Sequence, residues 1–214
     1  MQTCPECQSS LSTPLVCLDC HALLPQTPGQ TPSPFDALGV ELGWRVEGKA
    51  LKKQLLKLSR AVHPDFFATA DEATRNRAED ASALLNSAFE TLKDDFKRAD
   101  WLVKVLGGPS DSEERQMPRA FLMQVMEWNE VLDDARSAAQ GSAEWNAVAE
   151  LESELATERE ARFSAIAKQL DPLPAKGAGD LAPVRQELNA VRYIDRTQAE
   201  VKQLKLQATL GPKS

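Results

Sequence analysis

With 214 residues the chain can form one large domain or two or three small ones. A hydrophobic content of 42% with only 6% aromatics favours helices over sheets and predicts an all-α body. The net charge of −7 argues against a globally basic nucleic-acid or anionic-membrane binder, and no apolar run approaches the ~18 residues a bilayer span requires.

The N-terminus carries neither an apolar signal core nor an Arg/Ser-rich transit segment, so the expected setting is soluble and intracellular, that is, cytoplasmic. All four cysteines fall within residues 1–24, a stretch with too little apolar mass to bury a core, which must therefore be stapled by metal or disulfides. Cys4-x2-Cys7 and Cys17-x2-Cys20, nine residues apart, form two knuckles that can place four thiolates tetrahedrally around one structural Zn²⁺ with no open position. Two local disulfides or a redox CxxC pair are the alternatives. An intracellular, coreless segment favours the metal, and an iron–sulfur cluster is open to the same thiolates. His21, next to Cys20, is a spare ligand that four thiolates make unnecessary.

Residues 25–34, "PQTPGQTPSP", read as an extended linker. A short helix near 35–39, closed by Gly39, opens the next domain, 35–107. A second, about 48–62, carries Leu51, Leu55, Leu58 and Val62 as an apolar stripe and Lys53, Lys57 and Arg60 on another face, with Lys49 and Lys52 beside it. Pro64 ends this helix by forcing His63 out of the α region. Residues 63–70 then form an exposed loop before a third helix, about 71–93, whose expected core side is Ala81, Leu84, Leu85, Ala88, Phe89 and Leu92. A fourth helix runs from about 95 to 106.

"GGPSDSEERQM" reads as a hinge. Three longer periodic segments, about 118–140, 143–170 and 180–209, predict a C-terminal three-helix bundle over 118–210. In the first of these, Phe121, Val125, Trp128 and Leu132 fall within about 60° of one another and face the core. Leu122, Met123, Met126, Glu127, Glu130 and Asp134 occupy a separate arc of about 140°: apolar, adaptable side chains rimmed by acids, the composition of a protein-binding surface. For Met126 a place in a wide core is the equal alternative.

Taken alone, His63-Pro64-Asp65 is a helix stop with a turn-forming aspartate. No nucleophile, glycine loop or convergent acidic pair accompanies it, so catalysis is not expected. A cationic amphipathic helix, then His-Pro-Asp on a loop, then a packed helix with "NSAFETL" resembles a J domain. That resemblance implies docking of His63, Pro64 and Asp65, with Lys53, Lys57 and Arg60 as the electrostatic face, on a DnaK-type chaperone of the heat shock protein 70 family whose ATPase is stimulated. Many J domains follow the triplet with Lys or Arg; Phe66 and Phe67 stand here, and Phe67 is expected to pack inward.

"HPDFF", "KRADWLVKVLG" and "AFLMQVMEWNEVLDD" together resemble the HscB family, J-protein co-chaperones of iron–sulfur cluster assembly, and the segment around "CLDCHALLP" is similar to the extra domain of the branch with mitochondrial members. The resemblance implies delivery of an IscU-type scaffold to a DnaK/HscA-type chaperone. It places scaffold binding on Leu122, Met123, Met126, Glu127, Glu130 and Asp134, joined by Tyr193, and a eukaryotic member in the mitochondrial matrix. A general J-domain co-chaperone for unfolded clients is the alternative; a nucleic-acid adaptor lacks the basic, aromatic surface.

Overall fold

The structure, a computed structural model, describes residues 3–27, 29–139 and 141–210. Pro28 of the expected linker and Gln140 at the end of the expected 118–140 segment lie outside them. It is all-helical apart from two isolated β-bridges, with seven α-helices among the described residues: α1 Pro34–Leu38, α2 Gly48–Ala61, α3 Glu72–Lys93, α4 Asp95–Val105, α5 Arg119–Ser137, α6 Ala143–Leu170 and α7 Ala182–Leu210. Internal packing divides the chain into two compact units, Met1–Arg98 and Ala99–Ser214.

In the first unit α1 and α2 pack on α3. The buried stripe of α3 is Ala78, Ala81, Leu85, Ala88 and Leu92, spaced three, four, three and four. Leu84 and Phe89, expected in the core, are only half-buried, because each lies one residue, or about 100°, off that stripe. The Lys93 ammonium instead covers the Phe89 ring at 5.4 Å. Facing α3, α2 buries Leu51 and Leu58, with Val62 at its cap, while Leu55 is half-buried. Buried Arg98 secures the turn between α3 and α4: it donates to the Leu92 carbonyl at 2.6 Å, pairs with Asp95 and lies 4.6 Å from the Trp44 ring.

The N-terminal module packs directly on α1. Thr13, itself buried, donates its hydroxyl hydrogen to the Ala37 carbonyl at 2.7 Å. Gly39, which closes α1 at φ 61, stands so near Ser12 that a Cβ would strike the Ser12 carbonyl. Gln26 ties the start of the 25–34 segment back to the module by donating to the Pro14 carbonyl at 2.7 Å.

In the second unit α5 and α7 pack on α6 around Phe121, Trp128, Leu132, Ala135, Val148, Leu151, Leu155, Ala190, Ile194 and Val201. Val125, expected on the core stripe, is half-buried. Phe121 and Trp128 meet edge to face at 5.3 Å, and the Trp128 indole N–H donates to Glu154 Oε1 at 2.8 Å, which satisfies its one polar atom at the rim. The polar segment expected to be a hinge is strapped to α7. Buried Arg185 donates to the Pro109 carbonyl at 2.9 Å and pairs with Asp100, and Asn189 donates to the carbonyls of Glu114 and Gln116 at 2.9 Å each. Side-chain amides and a guanidinium supply order that the turn-rich sequence does not advertise.

Candidate functional site: a thiol cage and two exposed helix faces

Each cysteine pair sits on a tight turn. In the first, the Cys4 N–H donates to the Ser9 carbonyl and the Gln8 N–H to the Cys4 carbonyl; in the second, Cys17 and His21 repeat the pattern with Ala22 and Cys17. Gln8 and His21 occupy matching left-handed positions at φ 66 and 59. His21 is thus a turn residue of the knuckle, and the metal-competent group is Cys4, Cys7, Cys17 and Cys20 without it.

The four thiols are free of disulfides, with Cys4 and Cys17 buried and Cys7 and Cys20 exposed. Their Sγ atoms all lie within 4.8 Å of one another, and the cross-knuckle pairs Cys4–Cys20 and Cys7–Cys17 are 3.6 Å apart. Thiolates about 2.3 Å from one tetrahedral ion stand about 3.8 Å from each other, so the cage fits a single metal ion. Its electrostatics call for a cation. The Ser9 hydroxyl and backbone N–H hold the Cys7 thiol down to about 6. Cys20 is pushed up to about 12: the Ala22 N–H favours its thiolate, but loss of water around the sulfur and the neighbouring sulfurs of Cys7, Cys4 and Cys17 outweigh it. A positive charge among the sulfurs would offset the repulsion that holds the Cys20 thiol up.

On α2, Lys49, Lys52, Lys53, Lys57 and Arg60 are all exposed, and none forms an ion pair among the described residues. After the Val62 cap, His63 is extended at φ −60, ψ 126, as a residue before proline must be. Instead of an irregular loop, Pro64–Phe67 then forms a 3-10 turn, with proline pre-set at its first position. His63 caps that turn: its Nδ1 accepts the Asp65 backbone N–H at 3.3 Å and lies 3.6 Å from Asp65 Oδ2. His63 and Asp65 are exposed and Pro64 half-exposed. Phe67 is half-buried, so the expected inward packing is partial, and Phe66 is 73% exposed with its ring 6.1 Å from the imidazole.

On α5, Leu122, Met123, Met126, Glu127, Glu130 and Asp134 all face solvent, and Met126 at 67% exposure is not a core residue. Tyr193 of α7 borders this face. Its ring meets Phe121 edge to face at 6.1 Å, its hydroxyl donates to Asn129 Oδ1 at 3.1 Å, and the Arg196 guanidinium lies 4.9 Å from the ring. Asn129, three residues along the helix from Met126, was not singled out by the sequence; only the fold brings it beside Tyr193.

Together these features define an all-helical protein with a four-thiol, metal-competent cage near its N-terminus and solvent-facing side chains on two of its helices. Residues 117–202 match a family model described as the HSCB C-terminal oligomerisation domain. The co-chaperone protein HscB homolog of Burkholderia mallei (strain SAVP1) is 32% identical over 170 residues, 79% of this chain and 91% of that protein. The homolog of Burkholderia thailandensis is 37% identical over 141 residues, 65% of this chain and 75% of that one. Among solved structures, human co-chaperone HscB superposes with a TM-score of 0.71 at 25% identity, covering 96% of this chain and 99% of its own. That coverage leaves too little of the chain over to omit the four-cysteine module. Chaperone HscB from Vibrio cholerae shares the fold, with a TM-score of 0.66 at 24% identity over 82% of this chain and 99% of its own. The chain belongs to the HscB family of co-chaperones.

Proposed function

We propose that this chain binds an iron–sulfur scaffold protein of the IscU type, presents it to a DnaK/HscA-type chaperone, stimulates that chaperone's ATPase and so assists cluster transfer, with no reaction of its own. The observation that carries the reading is the solvent-facing arc of α5, where Leu122, Met123 and Met126 stand exposed inside a rim of Glu127, Glu130 and Asp134 with Tyr193 at its border. Three large apolar side chains together in water are stabilised by a partner, and the acids around them orient it.

Residues 35–107 serve as the J domain and 118–210 as the scaffold-binding bundle. His63, Pro64 and Asp65 make the chaperone contact. Lys53, Lys57 and Arg60 steer the encounter, as a cationic cluster on a chain of net charge −7 does toward an acidic surface. Holding the scaffold on one unit makes its meeting with the chaperone effectively intramolecular. The reading gives residues 1–24 one structural zinc, supported by four Sγ atoms within 4.8 Å of one another, a spacing that suits a single ion, whereas a cluster spreads its thiolates over several irons. Operation in the cytoplasm, or in the matrix of a mitochondrion, follows from the partners.

Capture of a purified IscU-type scaffold tests the reading. The chain retains it, and a Leu122→Ala, Met123→Ala, Met126→Ala variant that remains helical does not. Retention by the variant at the level of the parent removes this surface from the account, and binding of unfolded clients alone points to a general co-chaperone.

A further inference from the structure

Two large apolar side chains stand in water on the first unit where the chaperone is proposed to dock: Leu56, 51% exposed, and Phe66, 73% exposed. At 100° per residue, Lys49, Lys52 and Arg60 lie within about 40° of Leu56 around α2, Lys53 about 60° away and Lys57 about 100°, whereas core residues Leu51 and Leu58 point about 140° to 160° away. The five cations and Leu56 line one shallow depression of the surface with Ala50 and Gln54. Phe66 is held at the His63 corner, where its N–H donates to the His63 carbonyl at 3.0 Å and its ring meets the imidazole at 73°. An isolated apolar side chain on a surface needs no explanation. Here one leucine is ringed by cations lacking ion-pair partners among the described residues, and one phenylalanine sits inside the docking triplet's own turn.

We infer that Leu56 and Phe66 are apolar anchors that enter a carboxylate-rimmed apolar surface of the DnaK-type chaperone, so that this co-chaperone selects its chaperone by buried hydrocarbon as well as by charge. The inference rests on the reading of the His63–Asp65 corner as the chaperone contact. The chemistry divides the labour: exposed ion pairs are weak and screened by salt, and mainly raise the rate of encounter. Residence depends on a few large side chains that lose their water at the centre of the contact. The carboxylates come from charge complementarity, since five cations without ion-pair partners among the described residues favour a surface of opposite sign.

Lysine substitutions separate burial from charge, because Leu56→Lys and Phe66→Lys add a cation while removing the hydrocarbon. Both positions are exposed, so each variant folds, which circular dichroism verifies. Stimulation of a purified DnaK-type chaperone's ATPase is measured against co-chaperone concentration, with His63→Gln in parallel. Each lysine variant is expected to need about tenfold more protein for half-maximal stimulation, a loss of about 1.4 kcal/mol, with a faster dissociation rate and an unreduced association rate. Half-saturation at or below the parent's value in both lysine variants, with stimulation lost in His63→Gln, overturns the anchors and leaves the docking corner intact. Full stimulation by His63→Gln removes the docking corner itself, and the anchors with it.

Discussion

The Tyr193 hydroxyl donates to Asn129 Oδ1 at 3.1 Å, which ties α7 to α5 beside the exposed Leu/Met arc. The bond is exposed, and the ring's packing on Phe121 is the larger attachment. Tyr193→Phe is therefore expected to lower unfolding stability by less than about 1 kcal/mol. Tyr193→Ala, which also removes the ring, is expected to cost about 1–3 kcal/mol and to weaken scaffold binding. Urea titration gives the first quantity and calorimetry with an IscU-type scaffold the second.

Neighbouring positions on α5 should separate binding from stability. Leu122→Ala with Met123→Ala touches only the exposed face, so stability should change by less than about 0.5 kcal/mol while scaffold affinity falls about tenfold or more. Trp128→Ala leaves a cavity in the buried core, while exposed Glu154 is simply hydrated, and is expected to cost about 3–5 kcal/mol in a urea melt.

Metal chemistry at the cage carries a proton signature. At pH 7 the Cys7 thiol, near 6 without metal, is mostly ionised, whereas Cys20, near 12, is protonated. Zinc must therefore displace at least one proton on binding at pH 7, and affinity must fall as the pH is lowered, because protons compete for the same sulfurs. Calorimetry in buffers of different ionisation enthalpy counts the protons released, and elemental analysis of the purified chain should find about one zinc. A chelator should loosen the module around Leu15 and Val16, which are buried beside Cys17, more than the helices of the second unit.

Gly39→Ala combines a left-handed backbone with a clash against the Ser12 carbonyl, a main-chain atom that cannot swing aside. The substitution should destabilise the first unit by more than the ~1 kcal/mol of the backbone conformation alone. It should also make the cysteine module more sensitive to chelator, because the Thr13–Ala37 contact is displaced with it. Thermal melts with and without chelator measure both effects.

The longer helices are legible because their apolar periodicity is strong, as in α2, α3 and α5, whereas five-residue α1 is too short for a rhythm and is legible only from Gly39 at its end. Cys4, Cys7, Cys17 and Cys20 are equally legible, since the two short loops leave their sulfurs no other common place to meet. What escaped is long-range and polar. Nothing in "GGPSDSEERQM" shows that Arg185 and Asn189, some seventy to eighty residues on, will hold it to α7. Nor does the Pro-rich segment reveal that Thr13 seats the module on α1. Leu56 was invisible for a different reason: a single leucine amid lysines disappears into the stripe pattern of α2 until its exposure is known.

Engagement of a DnaK-type chaperone by the His63–Asp65 corner is read from the steady-state ATPase of that chaperone, with scaffold present, titrated with the parent chain and with His63→Gln. Stimulation by the parent and near-basal turnover with the variant are expected, with the variant's helicity and scaffold affinity unchanged. Equal stimulation by a folded His63→Gln protein, or none by the parent at saturation, would contradict that engagement.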